Sequence, residues 1–219
     1  MLRDAGADIV LMPTAEDMYP KTPGVVDSEV APRLQVSVLV GGSECLGEGA
    51  SRPHFFHGVA TVVAKLFNIV RPTHAYFGQK DAEQCAVIRR LVTDLLYDIT
   101  VVTVDTVREG DGLAMSTRNQ LLTPAERAVA PQLYAALQAV RELIMRGEGD
   151  IVTLVEAAKK VLATIPGMEM DYIRFADADS MARTDSPVLP NPLPAGGICV
   201  SGAIRLGGTR LIDNLVVQP

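Results

Sequence analysis

The sequence predicts an α/β fold in two regimes, a parallel sheet in the first half and an α+β unit in the second. Three observations carry this. Between Asp8 and Val104 short apolar runs and helical stripes follow one another as strand, loop, helix, strand, loop, helix, strand, the pattern of a parallel doubly wound sheet. Ile99–Val104 is β-branched almost throughout, as a buried strand requires. At Thr123 the alternation stops, and a strong helix start leads into two helices and then three strand-like runs.

Asp8-Ile-Val-Leu-Met12, after Gly6 and before Pro13, reads as a buried strand following a helix C-cap. Residues 20–53 shift to glycine, proline and polar residues, with one apolar patch at Gln35–Val40, and form a long excursion of the kind that often carries function. Gly58–Val70 has a helical stripe and ends before Arg71-Pro72, and His74–Phe77 makes a short strand closed by Gly78. Asp81–Leu96 repeats apolar residues near the 3.6 period, with Asp81 suited to the first turn.

Thr123-Pro-Ala-Glu126 supplies a threonine N-cap, a proline at the first helical position and a glutamate three residues on. The helices expected after it are Ala125–Arg146 and Asp150–Ile165, separated by Gly147-Glu-Gly149. Met170–Ala176, Ile198–Ile204 and Thr209–Val217 read as strands, the last two joined as a hairpin through Leu206-Gly-Gly208, and Pro187–Gly197 reads as loop. The boundary between regimes falls within 107–122, giving domains 1–110 and 111–219.

A chain of 219 residues with 48% hydrophobic residues can fill a real core. Its 26 acidic residues against 20 basic ones, a net charge of −6, give no footprint for a nucleic acid or an anionic membrane. No apolar run approaches the ~20 residues of a membrane span, and the N-terminus lacks a secretion signal, so a soluble cytoplasmic protein is expected. Cys45, Cys85 and Cys199 are widely spaced and read as core residues in a reducing compartment. His54 and His57 have i, i+3 spacing without a third ligand, which speaks against a metal site.

Two polar loops carry the candidate chemistry. Gly78-Gln79-Lys80-Asp81 lies at the carboxyl end of a strand and just before a helix, where main-chain N–H groups, the helix start and the Lys80 charge favour phosphate. Asp81 can hold a Mg²⁺ bridging phosphate oxygens, and Gln84, one turn on, shares its face. Met115-Ser116-Thr117-Arg118 offers two hydroxyls and a guanidinium in succession, suited to several phosphate oxygens at once. The same residues also suit a solvated Lys-Asp turn, a surface glutamine and a hydroxyl-rich turn, so spacing alone reaches only a nucleotide-binding α/β protein. No Walker sequence, paired-carboxylate motif or Ser-His-Asp order is present.

Phe77-Gly-Gln-Lys-Asp81 with Gln84, Thr106-Val-Arg-Glu-Gly-Asp-Gly-Leu-Ala-Met-Ser-Thr-Arg-Asn119 and Arg210-Leu-Ile-Asp-Asn214 together resemble the pantothenate synthetases, the pantoate–β-alanine ligase family. Met18-Tyr-Pro20, Arg52-Pro53, Gly58-Val59 and Lys65-Leu-Phe-Asn-Ile-Val70 extend the resemblance over almost the whole chain. It implies a Rossmann-like nucleotidyltransferase domain, a smaller C-terminal lid domain and a homodimer. It also implies ATP-dependent joining of pantoate and β-alanine through a pantoyl adenylate, with Mg²⁺, releasing pyrophosphate and AMP.

By the same resemblance Gly78, Gln79, Lys80 and Asp81 contact ATP, and Val107 meets the adenine through its backbone. Met115, Ser116, Thr117 and Arg118 correspond to a mobile phosphate-binding loop, Gln84 bonds pantoate, and Lys80 and Arg118 stabilise charge during adenylation. The family pattern also has a segment with a His-x-Gly-His signature and a second pantoate-binding glutamine, expected to lie outside this chain. A noncatalytic remnant that binds nucleotide weakly or serves as a dimerisation partner is the alternative. Arg52-Pro-His-Phe-Phe56 stands where the family has Arg-Pro-Gly-His-Phe, Ala82 where an aromatic is common, and Thr117 where a second serine is usual.

Overall fold

Apolar residues recurring along Phe55–Val70 and Ala82–Asp94 have to be covered, and in the computed structural model these helices pack together over one face of a short parallel sheet. The structure describes residues 2–20, 36–42, 47–184 and 186–219. Two short helices, α1 (Ala15–Met18) and α2 (Gly47–Ser51), precede α3 (Phe55–Val70), β1 (His74–Gly78), α4 (Ala82–Asp94) and β2 (Thr100–Val104). Strands β1 and β2 run parallel, with His74 opposite Thr100 and Gly78 opposite Val104. Their alternate residues Ala75, Phe77 and Val101 meet Phe56, Phe67, Ile88 and Leu91 of the helices. Ile88 is fully buried, a placement that contributes about 1.5–3 kcal/mol.

α3 stops where expected. Arg71 turns left-handed at its C-cap, φ 48°, its N–H reaching the Phe67 carbonyl, and Pro72 prevents continuation. Asp8–Met12 departs from the expected buried strand: the segment is irregular, and Ile9 and Met12 are 88% and 83% exposed. Its apolar, β-branched composition suits a strand, but a parallel strand forms only where its N–H and C=O groups meet a neighbour. No described strand lies alongside it.

The second regime contains α5 (Pro124–Val129), α6 (Gln132–Met145), α7 (Ile151–Leu162) and the antiparallel sheet β3 (Met168–Asp177), β4 (Ile198–Leu206) and β5 (Thr209–Val217), in the order β3-β4-β5. α6 and α7 cover one sheet face, burying Leu137, Val140, Leu154, Val200 and Ile204 completely. Gly202 lets α6 approach closely, since a Cβ there would lie 2.9 Å from Ile173 Cδ1 and 3.1 Å from Leu133 Cδ1. The β4–β5 hairpin turns through Gly207, φ 53°, with Leu206 opposite Thr209.

The single helix expected over Ala125–Arg146 is instead two. Pro131 has no N–H to give the Arg127 carbonyl, so the first helix ends at Val129 and Pro131 becomes the N-cap of the next. The capping box itself forms: Thr123 Oγ1 accepts the Glu126 N–H at 3.3 Å, and Glu126 Oε2 accepts the Thr123 N–H at 2.8 Å. Thr123→Ala is expected to lower stability by about 1 kcal/mol, read as a lower urea midpoint at unchanged m value.

Cys85 and Cys199 are buried free thiols, and burial pushes the Cys199 thiol up to about 12. Cys45, and Gln35 of the apolar patch, lie outside the described residues. Among the described residues no helix is long and apolar enough to cross a membrane.

Candidate active site

At the carboxyl end of β1 the chain leaves Gly78 into a 3₁₀ turn, Gln79–Asp81, and enters α4. Asp81 is the N-cap residue of α4, yet its side chain accepts no capping hydrogen bond. Its carboxylate lies 3.8 Å from Lys80 Nζ; the Lys80 side chain is 20% exposed and that of Asp81 50%. Strand β5 crosses this turn. Asn214 Nδ2 donates to the Gln79 carbonyl at 3.0 Å and the Lys80 carbonyl at 2.9 Å, and Gln79 Nε2 donates to Asn214 Oδ1 at 3.2 Å.

The second loop is held by charge. Arg108 donates to both carboxylate oxygens of Asp213, at 2.6 and 3.0 Å, and to the Gly112 carbonyl at 3.0 Å, with its guanidinium 3.6 Å over the Tyr134 ring. Arg127 bridges Glu109 at 2.7 Å and Asp111 at 2.6 Å, and its bonds hold both carboxyls below their ordinary range. Asn119 Nδ2 ties the loop's far end to Glu109 and the Ala114 carbonyl. Ser116 Oγ accepts the Arg118 N–H at 3.2 Å and starts a 3₁₀ turn over Thr117–Leu121. Among the described residues the Arg118 guanidinium makes no ion pair.

The two loops face one cleft of about 370 Å³. Lys80, Asp81 and Gln84 line it from one side and Ser116, Thr117 and Arg118 from the other. Six residues singled out from sequence are thereby brought together. Gly78, Gln79, Val107 and Met115 are not in the lining; Met115 and Val107 are 56% and 66% exposed, and the Met115 N–H donates to the Val107 carbonyl at 2.9 Å.

Of the remaining wall, the sequence points to Arg52, in the Arg52–His57 segment flanking the site, but does not single out Glu48, Glu83 or Tyr172. Arg52, with its guanidinium 3.7 Å over Phe55, stands there with Glu48, Glu83 and Tyr172. Glu83 accepts the Gly47 and Glu48 N–H groups at 2.6 and 2.8 Å, and burial raises its pKa. Arg210 joins Glu48 at 2.7 Å to Asp171 at 2.8 Å; burial alone would lower its pKa, but these two carboxylates raise it. Burial also pushes the Tyr172 hydroxyl up, and it donates to Glu48 at 3.3 Å. These partners lie up to 162 residues apart, so no local pattern announces them.

His54 and His57 have ring centroids 5.3 Å apart, and the described residues contain no group of three or more His, Cys, Asp or Glu able to hold a metal. Chemically, the cleft presents an ammonium, a guanidinium, hydroxyls and a helix start on its two loops, with one half-exposed carboxylate among them. That set suits a polyanion whose charge changes during reaction.

A parallel α/β lobe with its polar loop at a strand end, closed by an antiparallel lobe across a charged cleft, places the chain among the Rossmann-like nucleotidyltransferase folds. The model of the pantoate-beta-alanine ligase family matches residues 1–216, and the chain belongs to that family of enzymes. It is 43% identical to the pantothenate synthetase of Herpetosiphon aurantiacus over 217 residues, covering 99% of this chain and 72% of that protein. With the pantothenate synthetase of Gluconobacter oxydans it shares 44% identity over 98% of this chain and 72% of that one. The crystal structure of pantothenate synthetase from Thermus thermophilus superposes with a TM-score of 0.82 at 41% identity, covering 100% of this chain and 72% of that one. The pantoate-beta-alanine ligase of Francisella tularensis, complexed with beta-gamma ATP and beta-alanine, gives a TM-score of 0.65 at 26% identity, covering 98% and 67%.

Proposed function

We propose that the protein joins pantoate to β-alanine in two steps, using ATP. The pantoate carboxylate attacks the α-phosphorus of ATP, the bond to the β-phosphate oxygen breaks, and pyrophosphate leaves. The neutral amine of β-alanine then attacks the acyl carbon of the pantoyl adenylate, loses a proton, and expels AMP as the amide forms. Both centres gain negative charge on the way to the transition state, so fixed cations accelerate them.

The observation that carries this reading is the convergence of Lys80, Asp81 and Gln84 with Ser116, Thr117 and Arg118 on one cleft. Lys80 and Arg118 act on the triphosphate, the Ser116 and Thr117 hydroxyls on its oxygens, and Gln84 on pantoate, while Met115, tied to Val107 through its N–H, opens the phosphate-binding loop. Gly78 has no atom within 4 Å of where a Cβ would stand, which leaves room for the nucleotide. Gln79 gives one amide hydrogen to Asn214, and its second amide hydrogen and Oε1 remain for ATP. Val107 keeps one carbonyl lone pair for the adenine edge.

Asp81, a half-exposed carboxylate beside the Lys80 ammonium, is the residue of these loops that would hold a Mg²⁺. When bound, the ion would neutralise charge on the polyphosphate. The chain divides into a nucleotide-binding lobe, 1–110, and a lid, 111–219, and it works as a homodimer in the cytoplasm. The Francisella complex with ATP and β-alanine supports both as substrates here.

Pantoate-dependent exchange of labelled pyrophosphate into ATP tests the reading directly. Exchange that needs pantoate and magnesium but not β-alanine is expected. Absence of exchange from folded protein would overturn adenylation and favour a nucleotide-binding role without turnover.

A further inference from the structure

Asn214 is 4% exposed and belongs to the lid, yet its side chain bonds only to the other lobe. Both amide hydrogens go to consecutive carbonyls, Gln79 and Lys80, while its oxygen receives the Gln79 amide. Its own N–H is fixed by Asp213 Oδ1 at 2.8 Å, which holds the residue in place beside the Arg108 ion pair. The turn it grips has little of its own to hold it: three residues of 3₁₀ helix, no side-chain cap and open space beside Gly78. Two carbonyls held by one planar amide fix the peptide planes on either side of Lys80, and so the direction in which its side chain leaves the backbone.

We propose that Asn214 is a positioning residue for the Lys80 ammonium, clamping the Lys80 turn from the lid so that the cation is correctly aimed only when the two lobes are docked. The proposal rests on the adenylation reading above. Asparagine is the short side chain that supplies two coplanar N–H donors; aspartate supplies none and serine one. Asn214 lines the cleft, but its side-chain bonds all go to the Lys80 turn. Its effect passes through Lys80, and a displacement of about 1 Å of such a group costs on the order of 100-fold in rate.

The test combines kinetics with hydrogen exchange. In Asn214→Ala, pyrophosphate exchange should lose about 10- to 100-fold in kcat with a smaller change in the KM for ATP. In a Lys80→Ala background the same change should cost less than about threefold, because the group it positions is gone. Main-chain amides of 79–84 should exchange roughly tenfold faster or more than in the wild type, with the amides of β4 unchanged.

Asn214→Ser, which keeps one donor, should lie between wild type and alanine and serves if the alanine variant folds poorly. Equal losses in both backgrounds, or unaltered protection at 79–84, would overturn the proposal. Hydrogen exchange is read without turnover, so an inactive wild type would overturn the ligase reading while the clamp is still decided by the amides.

Discussion

Lys80→Ala is expected to slow pantoate-dependent adenylation by about 100- to 1,000-fold while leaving the protein folded. The reason lies in how the residue is held. Its main chain is fixed by Asn214 at 2.9 Å, whereas among the described residues its ammonium has a single carboxylate, Asp81, at 3.8 Å. Truncation thus removes a charge from the cleft without removing a support from the scaffold, and stability should change by no more than about 0.5 kcal/mol. If Lys80 acts on charge that develops in the transition state, kcat falls more than ATP binding weakens. A variant with unchanged exchange rates would remove Lys80 from the mechanism, and one that only raised the KM for ATP would reduce it to a binding residue.

Local chemistry made much of this molecule legible. The capping box at Thr123, the glycine hairpin at Gly207, the β-branched run of β2 and the stripe of α4 each satisfy a requirement that the segment states by itself. The two loops were legible only in part, since glycine, lysine and clustered hydroxyls between apolar runs also suit ordinary solvated turns, and it is the fold that brings Lys80, Asp81 and Gln84 to one cleft with Ser116, Thr117 and Arg118. Pro131 was legible too and was outweighed by the apolar period on either side of it, although a missing N–H interrupts a helix whatever its stripe.

Asp8–Met12 failed differently. A strand's composition is local, but its ladder is not, and exposure of Ile9 follows from where the neighbouring strands are. The rear wall of the cleft was out of reach for the same reason. The Glu83 carboxylate and the Gly47 N–H, or the Tyr172 hydroxyl and Glu48, are ordinary polar groups until the fold brings them within 3.3 Å of one another.

Asp213→Ala should be the most destabilising polar substitution at the cleft, costing about 3–5 kcal/mol. Asp213 is 4% exposed and the Arg108 side chain 17%, and their forked contact of 2.6 and 3.0 Å leaves little water around either charge. Removing the carboxylate strands a guanidinium that stays stacked on Tyr134 and bonded to the Gly112 carbonyl, with no anion to offset its lost hydration. The cost is therefore mainly that of an unpaired buried charge rather than of the bond itself. The two explanations separate in the double variant Arg108→Met with Asp213→Leu, which removes both charges at similar volume. It should be more stable than Asp213→Ala alone, as read from urea midpoints, because an apolar pair needs no compensation. Its loop should nevertheless lose protection at amides 112–115, since the anchor at the Gly112 carbonyl is gone, and adenylation should fall with the Ser116–Arg118 segment no longer held against the cleft. A double variant less stable than Asp213→Ala would show instead that the Arg108 stack carries the stability, with the ion pair secondary.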